Sequence, residues 1–318
     1  MFIEKTENKI NLNFMGIKFS ASIEERNIFK KLIYKVLKTP RVVFYWKEEF
    51  SQYMSQNDMD AKVENLKRGL DEVSCEYIDN FMRLIPYWDR RKINVWTKYD
   101  KELDRKNKKF IKTFKQPFEK ILKINPFFFS NGYALFDLPK KNYDSIDGKI
   151  IIDGGGLNGD TAIVFHKYFP NSPIHVYEPL VNNVKIINSF LEIDNCGGKI
   201  IPIQKGLSNE EGVCKISFCD NENEAQLVTI DKTYAGCKDK IGLIKLDTEG
   251  FETKILKGGI EVIKRDKPVL CVAIYHTPQD FFELKDELEK LNLGYKFMIR
   301  RSEMVLPQAD LVLIGYVP

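Results

Sequence analysis

The chain has 318 residues, enough for one large or two modest domains with a real core, and its 43% hydrophobic and 30% charged residues describe a folded globular protein, not a disordered or fibrous one. No apolar run approaches the roughly 20 residues that span a bilayer, and Met1-Phe-Ile-Glu-Lys-Thr-Glu-Asn8 lacks the basic-then-apolar layout of a secretory signal. The net charge of +4 hides an asymmetry, with 29 Lys+Arg against 21 Asp+Glu up to Gly148 and 20 against 24 from Lys149 onward.

In chain order, the part up to Tyr143 reads as mainly helical. Ser22 to Leu37 opens with a capping serine and acids in the first turn, and carries Ile28, Phe29, Leu32, Ile33 and Val36 at helical spacing. Asp60 to Ile85 repeats the pattern and stops before Pro86, and Leu103 to Leu122 reads as a third helix interrupted at Pro117. Basic residues crowd the segment 98–123, a solvated helix face or else a surface that greets an anionic acceptor or a membrane; no nucleic-acid motif accompanies it. Pro126-Phe-Phe-Phe-Ser-Asn-Gly132 is an aromatic loop to which the sequence assigns no task.

From residue 144 to 318 the rhythm changes to alternating strand and helix, an α/β domain. Strands read at Lys149–Asp153, Ile174–Glu178, Lys199–Gln204, Gly242–Asp247, Val269–Tyr275, Tyr295–Arg300 and Leu311–Tyr316, with two short extra strands between Gly212 and Asp231. Helices fit Thr161–Tyr168, Leu180–Ile193, Phe251–Arg265 and Gln279–Leu291. The last two strands read as a hairpin that feeds an antiparallel strand into a mostly parallel sheet. Six scattered cysteines without a C-x-x-C pair point to a reduced, cytoplasmic protein.

The most informative stretch is Ile150-Ile-Ile-Asp153-Gly-Gly-Gly-Leu-Asn-Gly159-Asp-Thr161, a buried strand, a glycine turn and a helix start. Such a turn seats a dinucleotide or S-adenosylmethionine. A pyrophosphate carries about two negative charges, so a carboxylate in its seat opposes it, whereas a sulfonium and an ammonium favour one. Asp153 therefore tips the reading toward S-adenosylmethionine. Glu178, about 20 residues after the glycines, stands where a ribose diol is held.

Together with Leu243-Ile-Lys245-Leu-Asp247-Thr-Glu249-Gly250-Phe-Glu252, these pieces resemble the FkbM family of S-adenosylmethionine-dependent methyltransferases. Tyr177-Glu178-Pro179, Lys205-Gly206-Leu-Ser208, Val228-Thr-Ile-Asp231, Leu256-Lys-Gly258, Lys267-Pro268 and Tyr275-His276 follow in the family's order, over about half the chain. The chain departs from the pattern at Leu157, where the family often has asparagine. The resemblance implies a class I methyltransferase Rossmann-like sheet and methyl transfer to a hydroxyl, often on a sugar or a secondary metabolite.

Expected cofactor contacts are Asp153, Gly155, Gly159, Asp160, Thr161, Glu178, Pro179, Gly206 and Asp247. The expected catalytic group is His276 as general base, with Asp247, Glu249 and Lys245 sharing one face by strand alternation, the last two toward the acceptor. No metal is expected. The acceptor is read as a small molecule or glycan, possible partners include a second copy of the chain, and the N-terminal part either caps the cleft or joins subunits. Two other readings stay open: an NAD-dependent oxidoreductase or epimerase, whose Tyr34-x-x-x-Lys38 lies far from the turn, and a non-catalytic scaffold in glycan assembly.

Overall fold

A computed structural model describes residues 2–5, 9–14, 17–22, 47–85, 96–218, 221–303 and 310–318. Two compact units divide the chain, one of residues 1–44 and 87–94, the other of residues 45–86 and 95–318. The boundary read at Tyr143 falls inside the second unit. In the first unit, β1 (Phe2–Lys5), β2 (Lys9–Phe14) and β3 (Ile17–Ser22) form an antiparallel sheet. These strands were not anticipated; the short alternation Ile10, Leu12, Phe14 carries the period of two that sets them. The helix read over Ser22–Leu37 lies almost wholly outside the described residues.

The second unit begins with helices α1 (Lys47–Gln56), α2 (Met59–Lys67), α3 (Glu72–Leu84), α4 (Lys98–Ile111), α5 (Pro126–Asn131) and α6 (Lys140–Asp144). The helix expected over Asp60–Ile85 is thus two. Gly69, at φ +75°, turns the chain between them, and Asp71 caps the second by accepting from the Ser74 amide.

The remaining elements are β4 (Ile150–Gly154), α7 (Asp160–Tyr168), β5 (Ile174–Tyr177), α8 (Val181–Leu191), β6 (Ile200–Ile203), β7 (Gly206–Leu207), β8 (Gly212–Phe218), β9 (Asn221–Val228) and α9 (Ile230–Tyr234). After them come β10 (Ile241–Leu246), α10 (Glu252–Lys257), α11 (Ile260–Asp266), β11 (Val269–Ala273), α12 (Pro278–Phe282), α13 (Leu284–Glu289), β12 (Lys296–Arg301) and β13 (Leu311–Tyr316). The seven-stranded sheet runs β12-β13-β11-β10-β4-β5-β6, with β13 alone reversed against its neighbours, as expected of the final hairpin. β7, β8 and β9 form a separate small sheet.

Continuous apolar runs build the central strands because both sheet faces are covered: every residue of β4, β10 and β11 is buried. The chain leaves β4 toward β5 and β6, then returns on the other side at β10. The strand order therefore reverses at β4, and the crevice outside its carboxyl end is the ligand position of such sheets. At the β12 edge the capping acids of two helices grip adjacent arginines. Asp71 pairs with Arg300 at 2.6 Å, and Asp100, in the capping box of α4, meets Arg301 at 2.8 Å. Burial alone would raise the Asp71 carboxyl, but its bonds to Arg300 and Ser74 prevail and hold it at about 2. Among the described residues no helix is long and apolar enough to cross a membrane.

Candidate active site

Gly155 follows β4 at φ +75°, and a side chain there would lie 1.9 Å from the Asp247 carbonyl oxygen. A β-carbon on Gly156 would meet Val176 at 2.1 Å. Glycine is thus required because the turn is pressed against β10 and β5. The amides of Gly155 and Gly156 both donate to the Tyr177 carbonyl at 3.1 Å, and that of Leu157 donates to Glu178 at 2.8 Å. Further along, the Asp160 amide donates to Asn158, the Thr161 amide to Asp160, and Gly159 opens α7. The amides of Gly155, Gly156, Leu157, Gly159, Asp160 and Thr161 are thus engaged by the chain itself.

Asp153 is fully buried, and its setting differs from the expectation. One oxygen accepts from the Thr161 hydroxyl at 2.6 Å, and the other lies 3.0 Å from Lys245 Nζ. Lys245, equally buried, also donates to the carbonyls of Gly154 and Gly155 at 3.3 and 2.9 Å. Burial would lower its ammonium, but Asp153 and Asp247 outweigh that and keep it above the ordinary value. Two corrections follow. Asp153 is neutralised internally and does not present a bare charge to a ligand. Lys245 braces the glycine turn and does not reach toward an acceptor.

Glu178 closes the turn on its other side, accepting from Leu157 and, at 2.9 Å, from Leu180. It is buried, and desolvation leaves it above the usual carboxylate range despite those bonds. Pro179 lies beside Gly206, whose place in β7 a larger residue would contest with Leu227. Burial pushes the Asp160 carboxyl up to about 7, against the pull of Lys245.

At the carboxyl ends of β10 and β11 a second group assembles. Asp247 accepts from the Tyr275 hydroxyl through one oxygen and from the Tyr133 hydroxyl through the other, each at 3.0 Å. Burial, then the Asp247 charge, raises both phenols, so they remain donors. Glu249 does not continue the strand. Its φ of +55° puts it in the left-handed region and swings the side chain, 76% exposed, over His276. His276 is 1% exposed; Nδ1 meets Glu252 at 2.8 Å, while Nε2 lies 3.5 Å from Asp247 and 3.6 Å from Glu249. Burial favours the neutral ring, yet Glu252 and the charges of Asp247 and Glu249 raise it to about 9. Glu252, fully buried, also accepts from the amides of Thr248 and Gly250 and so fixes the whole Asp247–Glu252 turn.

Asp247, Glu252 and His276 offer atoms within 4.8 Å of one another, close enough to share a metal ion. Glu252 and Asp247, however, face opposite nitrogens of the ring.

Of the expected residues, the structure gathers Asp247, Glu249 and His276 at one place and Asp153, Gly155, Thr161, Glu178 and Lys245 at the adjoining turn. Tyr133 and Glu252 were missed. Glu252 closes the stretch that carries the family resemblance, but it reads there as an acid at a helix start and not as a site residue. Tyr133 is 114 residues from Asp247, and no spacing rule connects them. It follows α5, the helix that the aromatic segment read as a loop forms, at a turn where Gly132, Tyr133 and Ala134 are consecutive left-handed residues. Asn131, the last residue of α5, ties that turn to the Arg301 and Ser302 carbonyls at 3.1 and 3.3 Å. A groove of about 850 Å³ at α2 and α3 shares no residue with this cluster.

Residues 180–297 match the family described as Methyltransferase FkbM domain. The crystal structure of methyltransferase FkbM from Methylobacillus flagellatus superposes with a TM-score of 0.56 at 16% identity, over 85% of this chain and 60% of that one. The chain thus spans under two thirds of that structure, and the likeness is one of fold. An SAH-bound methyltransferase from Podospora anserina (TM-score 0.39, 11% identity, 68% of this chain and 87% of that one) is a more distant match. So is Aeropyrum pernix fibrillarin with natively bound S-adenosyl-L-methionine (0.36, 14%, 58% and 73%). No curated protein matches the chain. Over residues 180–297, within the sheet and beside the strand-end carboxylates described above, the chain is similar to the FkbM methyltransferases.

Proposed function

We propose that the protein is an S-adenosylmethionine-dependent O-methyltransferase acting on a hydroxyl of a carbohydrate or glycan precursor. The observation that carries the reading is the glycine turn, most of whose amides are already engaged by the chain, standing beside an oriented carboxylate, Asp247. A phosphate-free cation suits that seat; a dinucleotide, which needs free amides for its pyrophosphate, does not. The Thr248 hydroxyl oxygen, buried and without a hydrogen-bond partner among the described residues, offers a polar contact next to Gly155. The residues present therefore fit this cofactor.

When bound, S-adenosylmethionine supplies a methyl group on positively charged sulfur and leaves as the neutral thioether. Glu178 would hold the ribose side, and Pro179 and Gly206 would line the adenine side. Asp153, Thr161 and Lys245 keep the turn in shape, and Asp247 faces the methionine end. An acceptor hydroxyl meets Glu249 first, because that carboxylate stands between solvent and the buried imidazole. His276 Nε2 would take the proton of that hydroxyl while Glu252 holds Nδ1 of the ring. Positioning of the two reactants supplies much of the rate.

The loop carrying Tyr133 forms one wall of this cleft, and we assign to the helical N-terminal part the selection of the acceptor. A reducing, cytoplasmic setting agrees with the free thiols of Cys75, Cys196, Cys214, Cys237 and Cys271. The test is transfer of labelled methyl from S-adenosylmethionine to a panel of nucleotide sugars and oligosaccharides in the presence of a chelator, with the new methyl located by NMR. Transfer to a sugar hydroxyl is expected. Binding of NADH in calorimetry without binding of S-adenosylmethionine would end the proposal.

A further inference from the structure

Helix α4 is held rigidly at both ends. The capping box of Thr97 and Asp100 fixes its start, and Phe110, Phe114 and Phe118 pack its far end and the following segment onto the core. Its outer side is basic by geometry as well as by composition. Lys101, Arg105, Lys108 and Lys112 recur at i, i+4, i+7 and i+11, with Lys109 beside them, and at about 100° per residue they fall on one stripe. All five are exposed. The exposed acids of this helix are spent locally, Glu102 on Lys106 and Asp104 on Lys108. Lys101, Arg105, Lys109 and Lys112 have no carboxylate within ion-pair distance among the described residues. Exposed Lys115, Lys120 and Lys123 extend the charge beyond the helix; Ile111, 46% exposed, flanks the stripe about 60° round the helix from Lys108, and Ile121, 39% exposed, lies in the segment that follows.

We propose that this face docks the protein on an anionic lipid surface. The cations meet the headgroups, and Ile111 and Ile121 enter the interface between headgroup and acyl chain. Charge alone would equally suit a nucleic-acid backbone. The exposed isoleucines distinguish the two, since apolar side chains gain by burial at a lipid interface and gain nothing along a phosphate backbone. The inference is independent of methyl transfer.

The test is flotation of the full chain with vesicles of phosphatidylglycerol and phosphatidylcholine in equal parts, against vesicles of phosphatidylcholine alone. Binding to the anionic vesicles only is expected, released at about 0.5 M salt as screening shortens the reach of the charges. Each cation near such a surface contributes about fivefold to partition, so the triple variant Arg105→Glu, Lys109→Glu, Lys112→Glu should bind on the order of a hundredfold more weakly. Ile111→Asn should weaken binding about tenfold while leaving its onset with charge unchanged. These side chains are exposed, so circular dichroism and thermal melting should match the wild type. Equal binding to neutral vesicles, unchanged binding of the triple variant, or binding to a single-stranded RNA with none to vesicles would overturn the proposal.

Discussion

His276 illustrates how neighbours set the chemistry of one side chain. Glu252 comes from α10, and Asp247 and Glu249 from the turn after β10; Tyr275 precedes the ring, and Asp280 of α12 also feels its charge. Burial opposes the imidazolium, the carboxylates favour it, and the balance leaves it at about 9. A base must be neutral, so kcat/KM should rise about tenfold per pH unit up to about pH 9 and level off above it. The stabilising effect of the imidazolium runs the other way: it is fully present below the unfolded value near 6.5 and lost as pH rises through 9. Glu252→Gln removes the strongest raising contact and should move the knee down by about one to two pH units. A knee that stays near 9 in that variant, or a flat profile in the wild type, would remove His276 as the base. The sequence shows His276 at a strand end, but it does not show three acids converging on it.

At the scale of elements, the glycine turn was legible because its residue types have one use in combination. Gly155→Ala should be severely destabilising. The left-handed backbone alone costs an alanine about 1–2 kcal/mol, and the added carbon would meet a backbone oxygen that cannot withdraw. Gly69→Ala, with a similar φ and open space, should cost only the backbone part. Thermal melts of the two variants check this, and equal losses would refute the steric account. The seven strands of the main sheet were readable to within a residue or two, since its buried strands are short apolar runs between turn residues, whereas β1–β3 and β7 were not. Helix breaks were less so. Phe251–Arg265 is two helices that part at Gly258 and Gly259, where a side chain on Gly258 would lie 2.2 Å from the Ser208 carbonyl. That obstacle sits 50 residues away in sequence, and an apolar period continues across it unchanged.

For the second unit as a whole, the N-terminal helices are pinned to the sheet by buried charge. Asp100 is fully buried, accepts from Tyr77 and from the Thr97 amide, and pairs with Arg301, itself 1% exposed. Asp100→Ala deprives a buried guanidinium of its carboxylate and uncaps α4 together. The expected loss is about 3–5 kcal/mol, seen as a lower denaturant midpoint, and a loss under about 1 kcal/mol would mean that the pair is incidental. Local residue order settled the alternation of strand and helix, the glycine turn and the succession of acids at strand ends, because each depends on neighbours a few positions apart. The burial of Asp153 against Lys245, the two phenols on Asp247, the charge on His276 and the attachment of the early helices to the last strands depend on groups brought together from distant positions. Desolvation and Coulomb energy belong to the folded neighbourhood, and a linear order of residues does not contain it.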